Sequence, residues 1–182
     1  PAEDRLIVAL DVPTASAARE LVNVLDDTVA FYKVGLELFM SGDAFGLVNW
    51  LAERDKKVFV DLKFFDVPAT VGRAVSQLNG LGITFATIHG NDAIMQAAAA
   101  AAEDVGILVV TVLTSLDRGD LRDLGFDCDV SELVVSRARR AMAHGCAGVV
   151  ASGQETALLR RELGNTLLIV VPGIRPVDNE DD

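Results

Sequence analysis

Asp61, Lys63 and Asp66 fall within six positions of one another, in the run Val58-Phe59-Val60-Asp61-Leu62-Lys63-Phe64-Phe65-Asp66-Val67-Pro68-Ala69-Thr70. The run opens as a strand buried on both faces would. Asp61 and Lys63 are two residues apart, so on a regular strand both point to one side and Leu62 to the other. A carboxylate and an ammonium held there can stabilise charge developing on a bound molecule, and the ammonium can deliver a proton. An isolated Asp-x-Lys would serve equally as a salt bridge at a strand end, and exposed pairs of that kind contribute little. The second acid and the apolar neighbours Phe64 and Phe65 favour chemistry. Poor hydration strengthens charge interactions and makes unpaired charges costly.

The elements that must position these groups follow from periodicity. Pro68 suits the first turn of a helix, and Thr70 lies in that turn. Val71, Ala74, Val75 and Leu78 continue at helical spacing, giving strand, charged turn, helix. The same alternation runs through the chain. Strands are expected at 6–11, 31–35, 84–90, 106–113, 147–151 and 166–171. Helices are expected across 18–25, 44–51, 92–104, 129–144 and 155–163. Asp129-Val130-Ser131-Glu132 matches a capping box, and the stretch 114–128 reads as a long loop. Seven strand–helix alternations without a Gly-rich dinucleotide loop predict a parallel α/β domain. The expected fold is a TIM (β/α)8 barrel over residues 1–182, a single domain with the eighth βα unit missing. A doubly wound open sheet is the alternative. The last residues lie in the loop after strand seven, so the polypeptide is expected to be truncated or disordered beyond them.

Composition bounds the rest. A chain of 182 residues, 51% hydrophobic, is long enough to bury a substantial core as one domain. Its formal charge of -11 disfavours general nucleic-acid binding, while local clusters of Lys and Arg can still hold a small anion. No apolar run is long enough to cross a bilayer, and Pro1-Ala2-Glu3-Asp4 is no signal peptide. Cys128 and Cys146 are too few and too isolated for a disulfide framework or a zinc site, which favours a reducing cytoplasm.

In a barrel, the loops at the carboxyl ends of the strands build the active site. There the sequence places Asp11, Lys33, Asp61 with Lys63, His89, Thr114 with Ser115, and Arg175. Asp11 is as suited to satisfying turn amides as to holding a ligand. Lys33 interrupts an apolar strand, which favours function. His89, before Gly90, is either a ligand contact or a satisfied turn histidine. Thr114 and Ser115 are binding hydroxyls or loop formers. Arg175 suits an anion. His144 belongs to a helix C-terminus, where its positive form complements the dipole. Trp50 and Tyr32 are expected in the core.

Asp61-Leu62-Lys63-Phe64-Phe65-Asp66-Val67-Pro68-Ala69-Thr70 resembles the D-x-K-x-x-D-I-P-N-T signature of the orotidine 5′-phosphate decarboxylases, departing from it at Val67 and Ala69. Ala9-Leu10-Asp11, Lys33-Val34-Gly35, 110–115 and 171–176 resemble that family's other motifs in the same order, whereas its Gly-Arg-Pro phosphate motif has no counterpart. The resemblance implies decarboxylation of orotidine 5′-monophosphate to uridine 5′-monophosphate, in pyrimidine biosynthesis, without metal or organic cofactor. It implies a Lys33–Asp61–Lys63–Asp66 array, with Lys63 as proton donor and Asp66 reaching a neighbouring subunit's site in a homodimer. Asp11, Lys33 and Thr70 would contact the ribose, Thr114 the pyrimidine or nearby backbone, and Arg175 the phosphate. His89 and Ser115 complete the substrate-binding set. Two other readings stand beside it. One is a magnesium-dependent sugar-phosphate decarboxylase or aldolase, against which Val67-Pro68-Ala69-Thr70 argues. The other is a non-catalytic, phosphate-binding dimer.

Overall fold

The chain is seen in a computed structural model that describes residues 2–113 and 117–174. Within them the residues gather into two compact units, one up to Ile107 and one from Leu108 onward.

In the first unit β1 (Val8–Ala9), β2 (Phe31–Gly35), β3 (Lys57–Phe64) and β4 (Ile83–Ile88) lie side by side in chain order. All three pairings are parallel, with Ala9 opposite Lys33, Lys33 opposite Phe59, and Gly35 opposite Asp61. Helices α1 (Ala15–Leu25), α2 (Leu36–Phe39), α3 (Ala44–Ala52), α4 (Pro68–Ser76) and α5 (Asp92–Ala101) make the crossovers. An order that advances by one strand at every crossover, without reversal, excludes the doubly wound alternative over this unit.

The two faces of the sheet differ in chemistry. Tyr32, Val34, Val58 and Val60 belong to a buried cluster with Leu47, Val48 and Leu51 of α3. Each such side chain contributes roughly 1.5–3 kcal/mol by leaving water. By strand alternation Phe31, Lys33 and Gly35 take the other face. There the Phe31 and Phe85 rings stack at 5.7 Å, and Phe59 meets Phe85 edge-on at 6.5 Å. An aromatic layer thus lies beneath the polar ends of the strands, as in the stacked interior layers of parallel barrels.

In the second unit β5 (Gly106–Val110), which begins at the end of the first, pairs in parallel with β6 (Gly148–Val150), and β6 pairs with β7 (Leu168–Val170). Helices α6 (Arg118–Asp123), α7 (Val130–Ala143) and α8 (Thr156–Leu163) connect them. Every expected strand is present, but most are shorter than their apolar runs. The first keeps its ladder only at Val8–Ala9, with the buried Leu10 still giving its amide to the Lys33 carbonyl at 2.9 Å while Leu6 and Asp11 on either side are exposed.

Three expectations are corrected. The stretch 114–128 is not only loop. It holds α6, opened by a reciprocal capping box in which the Asp117 side chain accepts from the Asp120 amide and Asp120 accepts from Asp117. At the expected box, Asp129 is the N-cap of α7 but its side chain caps nothing. Its carboxylate pairs with Arg118 at 3.4 Å, which draws it from the helix amides. Trp50 is half-buried at the edge of the core, with the Arg54 guanidinium 4.0 Å from its ring centre, a cation–π contact that keeps one ring face at the surface. Tyr32 is fully buried as expected, and its hydroxyl has no hydrogen-bond partner among the described residues.

Candidate active site

The polar groups at the carboxyl ends of β1, β2 and β3 meet in one line of alternating charge. Lys33 Nζ is 3.2 Å from Asp11 Oδ1 and 3.8 Å from Asp61 Oδ2, and Lys63 Nζ is 3.0 Å from that same Asp61 oxygen. The order is Asp11–Lys33–Asp61–Lys63. Asp61 is the most enclosed, its side chain 14% exposed, while that of Lys63 is 39% exposed. Gly35 makes room for the Asp11–Lys33 pair. A Cβ there would come within 3.3 Å of Lys33 Nζ and 3.5 Å of Asp11 Oδ1.

Lys63 and Asp61 do not meet by simple alternation along a pleated strand, as the two-residue spacing suggested. The β3–β4 register shifts between Val60 and Phe64, and Lys63 sits at φ +51°, in the left-handed region. For a residue with a Cβ that conformation costs about 1–2 kcal/mol, and such outliers gather at functional sites. The bulge re-aims the Lys63 side chain across Asp61.

The other expected residues divide. Asp66 is exposed and its carboxylate accepts from the Val67 amide at 2.6 Å, outside the Lys33–Asp61–Lys63 cluster. Thr70 sits in the first turn of α4, where Pro68 occupies an opening position, and accepts from Arg73 at 3.2 Å. His89 follows β4, gives its amide to the Phe64 carbonyl at 2.9 Å, and sets its ring edge-on to Phe65. Thr114, Ser115 and Arg175 lie outside the described residues. Among the described residues, no three His, Cys, Asp or Glu side chains are grouped to hold a metal ion. Nor is any helix long and apolar enough to cross a membrane.

One residue of the cluster escaped the sequence reading. Thr87, on β4, is fully buried. It donates to Asp61 Oδ1 at 2.8 Å and accepts the Lys63 amide at 2.9 Å. Its signal was available, because Phe85, Thr87 and His89 alternate along one face, and a hydroxyl inside an otherwise apolar strand needs a partner.

A sequence model of the orotidine 5′-phosphate decarboxylase / HUMPS family matches residues 4–182. The chain belongs to that family. A relative from Methylococcus capsulatus named orotidine 5′-phosphate decarboxylase is 68% identical over an alignment of 184 residues, covering 100% of this chain and 76% of the relative. One of the same name from Stenotrophomonas maltophilia is 51% identical, over 96% of this chain and 73% of the relative. The crystal structure of orotidine 5′-phosphate decarboxylase from Lactobacillus acidophilus superposes with a TM-score of 0.87 at 34% identity, covering 94% of this chain and 81% of that one. The fold class is the TIM (β/α)8 barrel of this decarboxylase family.

Proposed function

We propose that this protein decarboxylates orotidine 5′-monophosphate to uridine 5′-monophosphate in pyrimidine biosynthesis. The observation that carries the reading is the Asp61 carboxylate held between two ammonium groups, at 3.0 Å from Lys63 and 3.8 Å from Lys33, above an aromatic floor. The family membership and the names of the relatives support the same substrate.

The chemistry needs this arrangement. As carbon dioxide leaves, the electron pair of the broken bond stays on C6 of the pyrimidine, where no π-system is placed to absorb it. The Lys63 ammonium stabilises that developing charge and then gives its proton to C6. Asp61 lies beside the substrate carboxylate, and their repulsion is relieved as the carboxylate departs. Asp61 also supplies the opposite charge that keeps neighbouring ammonium groups in place. Asp11 and Lys33 orient the ribose together with Thr70, His89 lines the pocket, Thr114 and Ser115 serve the pyrimidine side, and Arg175 takes the phosphate. No metal or organic cofactor enters this scheme.

Asp66 completes the array in the partner's site of a homodimer. Its exposed position, clear of the cluster, supports that role, as do the exposed apolar side chains Leu36, Met40, Phe65 and Val67 beyond the ends of β2 and β3. Such a patch is what a second copy would cover. The single barrel domain belongs to the same proposal. So does a cytoplasmic location, which fits the free thiols of Cys128 and Cys146.

The test is to incubate the purified protein with orotidine 5′-monophosphate and follow the pyrimidine absorbance, with and without a chelator. Turnover unaffected by the chelator is expected. Turnover that needs added magnesium, with a sugar phosphate in place of the nucleotide, would favour the other branch of the family. Sedimentation at micromolar concentration should give a dimer.

A further inference from the structure

We propose that Thr87 is a positioning residue for the decarboxylation, one hydroxyl that fixes both the carboxylate of Asp61 and the backbone of Lys63. The inference rests on the function proposed above for the site, and it names a residue that does not itself touch the substrate.

The hydrogen bonding leaves the hydroxyl little choice. The Lys63 amide can only donate, so Thr87 Oγ1 accepts there, at 2.9 Å. The single hydroxyl proton is then directed to Asp61 Oδ1 at 2.8 Å. With Oδ1 held, the carboxylate plane is set and Oδ2 is the oxygen left to face Lys63 at 3.0 Å and Lys33 at 3.8 Å. Thr87 thus selects which oxygen of Asp61 meets the ammonium groups. It is fully buried, so water does not compete for either bond.

The second bond explains how β3 tolerates its break. The register of β3 against β4 shifts between Val60 and Phe64, where Lys63 adopts φ +51°. A bulge takes an amide off the ladder, and a buried amide without an acceptor is costly. The Thr87 side chain supplies the acceptor that the β4 backbone does not. A left-handed lysine persists where its surroundings over-determine it. The ladder resumes at once on the far side, with Phe64 opposite Ile88 and the His89 amide on the Phe64 carbonyl. Lys63 is therefore pinned from both sides. A valine at position 87 would keep the volume and the branched Cβ but lose both bonds. A serine would keep both bonds and lose only a methyl.

The experiment compares Thr87→Val and Thr87→Ser with the parent, in the full-length protein. Thr87→Val is expected to lower kcat by about 10- to 100-fold with KM changed less than about threefold, the range that misplacement of reacting groups produces. Thr87→Ser is expected to recover kcat to within about fivefold of the parent. Amide hydrogen exchange gives a readout independent of turnover. The Lys63 amide should exchange at least about tenfold faster in Thr87→Val, with Thr87→Ser close to the parent and the rest of β3 and β4 unchanged. A parent that leaves orotidine 5′-monophosphate intact overturns the function reading, and the exchange data still judge the anchor. Lys63 exchange unaltered by valine, or serine as damaging as valine in both readouts, overturns the role of Thr87.

Discussion

Lys63 Nζ lies 3.0 Å from Asp61 Oδ2 across a break in their own strand, with Lys63 at φ +51°. The pair joins the cluster's most enclosed acid to its most exposed base. The backbone between them is held in a conformation that an L-residue adopts at a cost. Function and stability therefore pull in different directions at this one residue.

Replacing Lys63 separates the two. Lys63→Ala and Lys63→Gly should both lower kcat by at least about a thousandfold, because each removes the group that stabilises and protonates C6. Glycine relieves the left-handed strain and alanine does not, so Lys63→Gly should be the more stable of the two by about 1 kcal/mol. Denaturant unfolding of the pair checks this. Equal stability would mean that the conformation at Lys63 costs little, and near-normal turnover in either variant would remove Lys63 from its role.

Gly148 should accept a side chain only at a cost in stability. On β6, between β5 and β7, a Cβ would come within 2.6 Å of both Leu168 Cβ and the Leu168 carbonyl oxygen, and 2.9 Å from Leu108 Cδ2. Two of those atoms are fixed by the strand itself, so the ladder must spread. Gly148→Ala should cost about 1–3 kcal/mol, the range of overpacked cores. A melting temperature equal to the parent's would show that β7 moves aside freely.

Alkaline pH should weaken the fold through a buried thiol. Burial pushes Cys146 up from 9.0 to about 11. The unfolded chain then loses that proton at lower pH than the folded one. Stability from this group is complete below pH 9.0 and is lost as the pH rises toward about 11. Tyr32, raised in the same direction chiefly by burial, adds to the loss at the upper end. Melting temperatures measured across this window should fall, and Cys146→Ala should flatten the lower part of the decline. In the native protein a thiol reagent should label the half-buried Cys128 before Cys146.

The order of the elements and the residue types of the site were legible in the sequence. Buried parallel strands must be apolar on both faces, so 31–35 and the run through Val60 announced themselves. The charged residues that interrupt or end such runs, Lys33, Asp61 and Lys63, stood out for the same reason. Local spacing had no means of showing where each strand's pairing would stop, since that depends on the neighbouring strand. The same limit hid which acid would cap a helix, because Asp129 is taken by Arg118, a partner eleven residues away.

Three things were decided only by the tertiary structure. Asp11, rather than Asp66, became the second acid of the cluster within this chain, since β1 and β2 pair side by side and bring it to Lys33. The left-handed turn at Lys63 arose from the mismatch between β3 and β4, which no single segment contains. Thr87 acquired its two partners from a strand 24 and 26 residues earlier. Periodicity reports which face of its own element a side chain takes. The group it meets is fixed by register between elements, and register comes from packing the whole sheet at once.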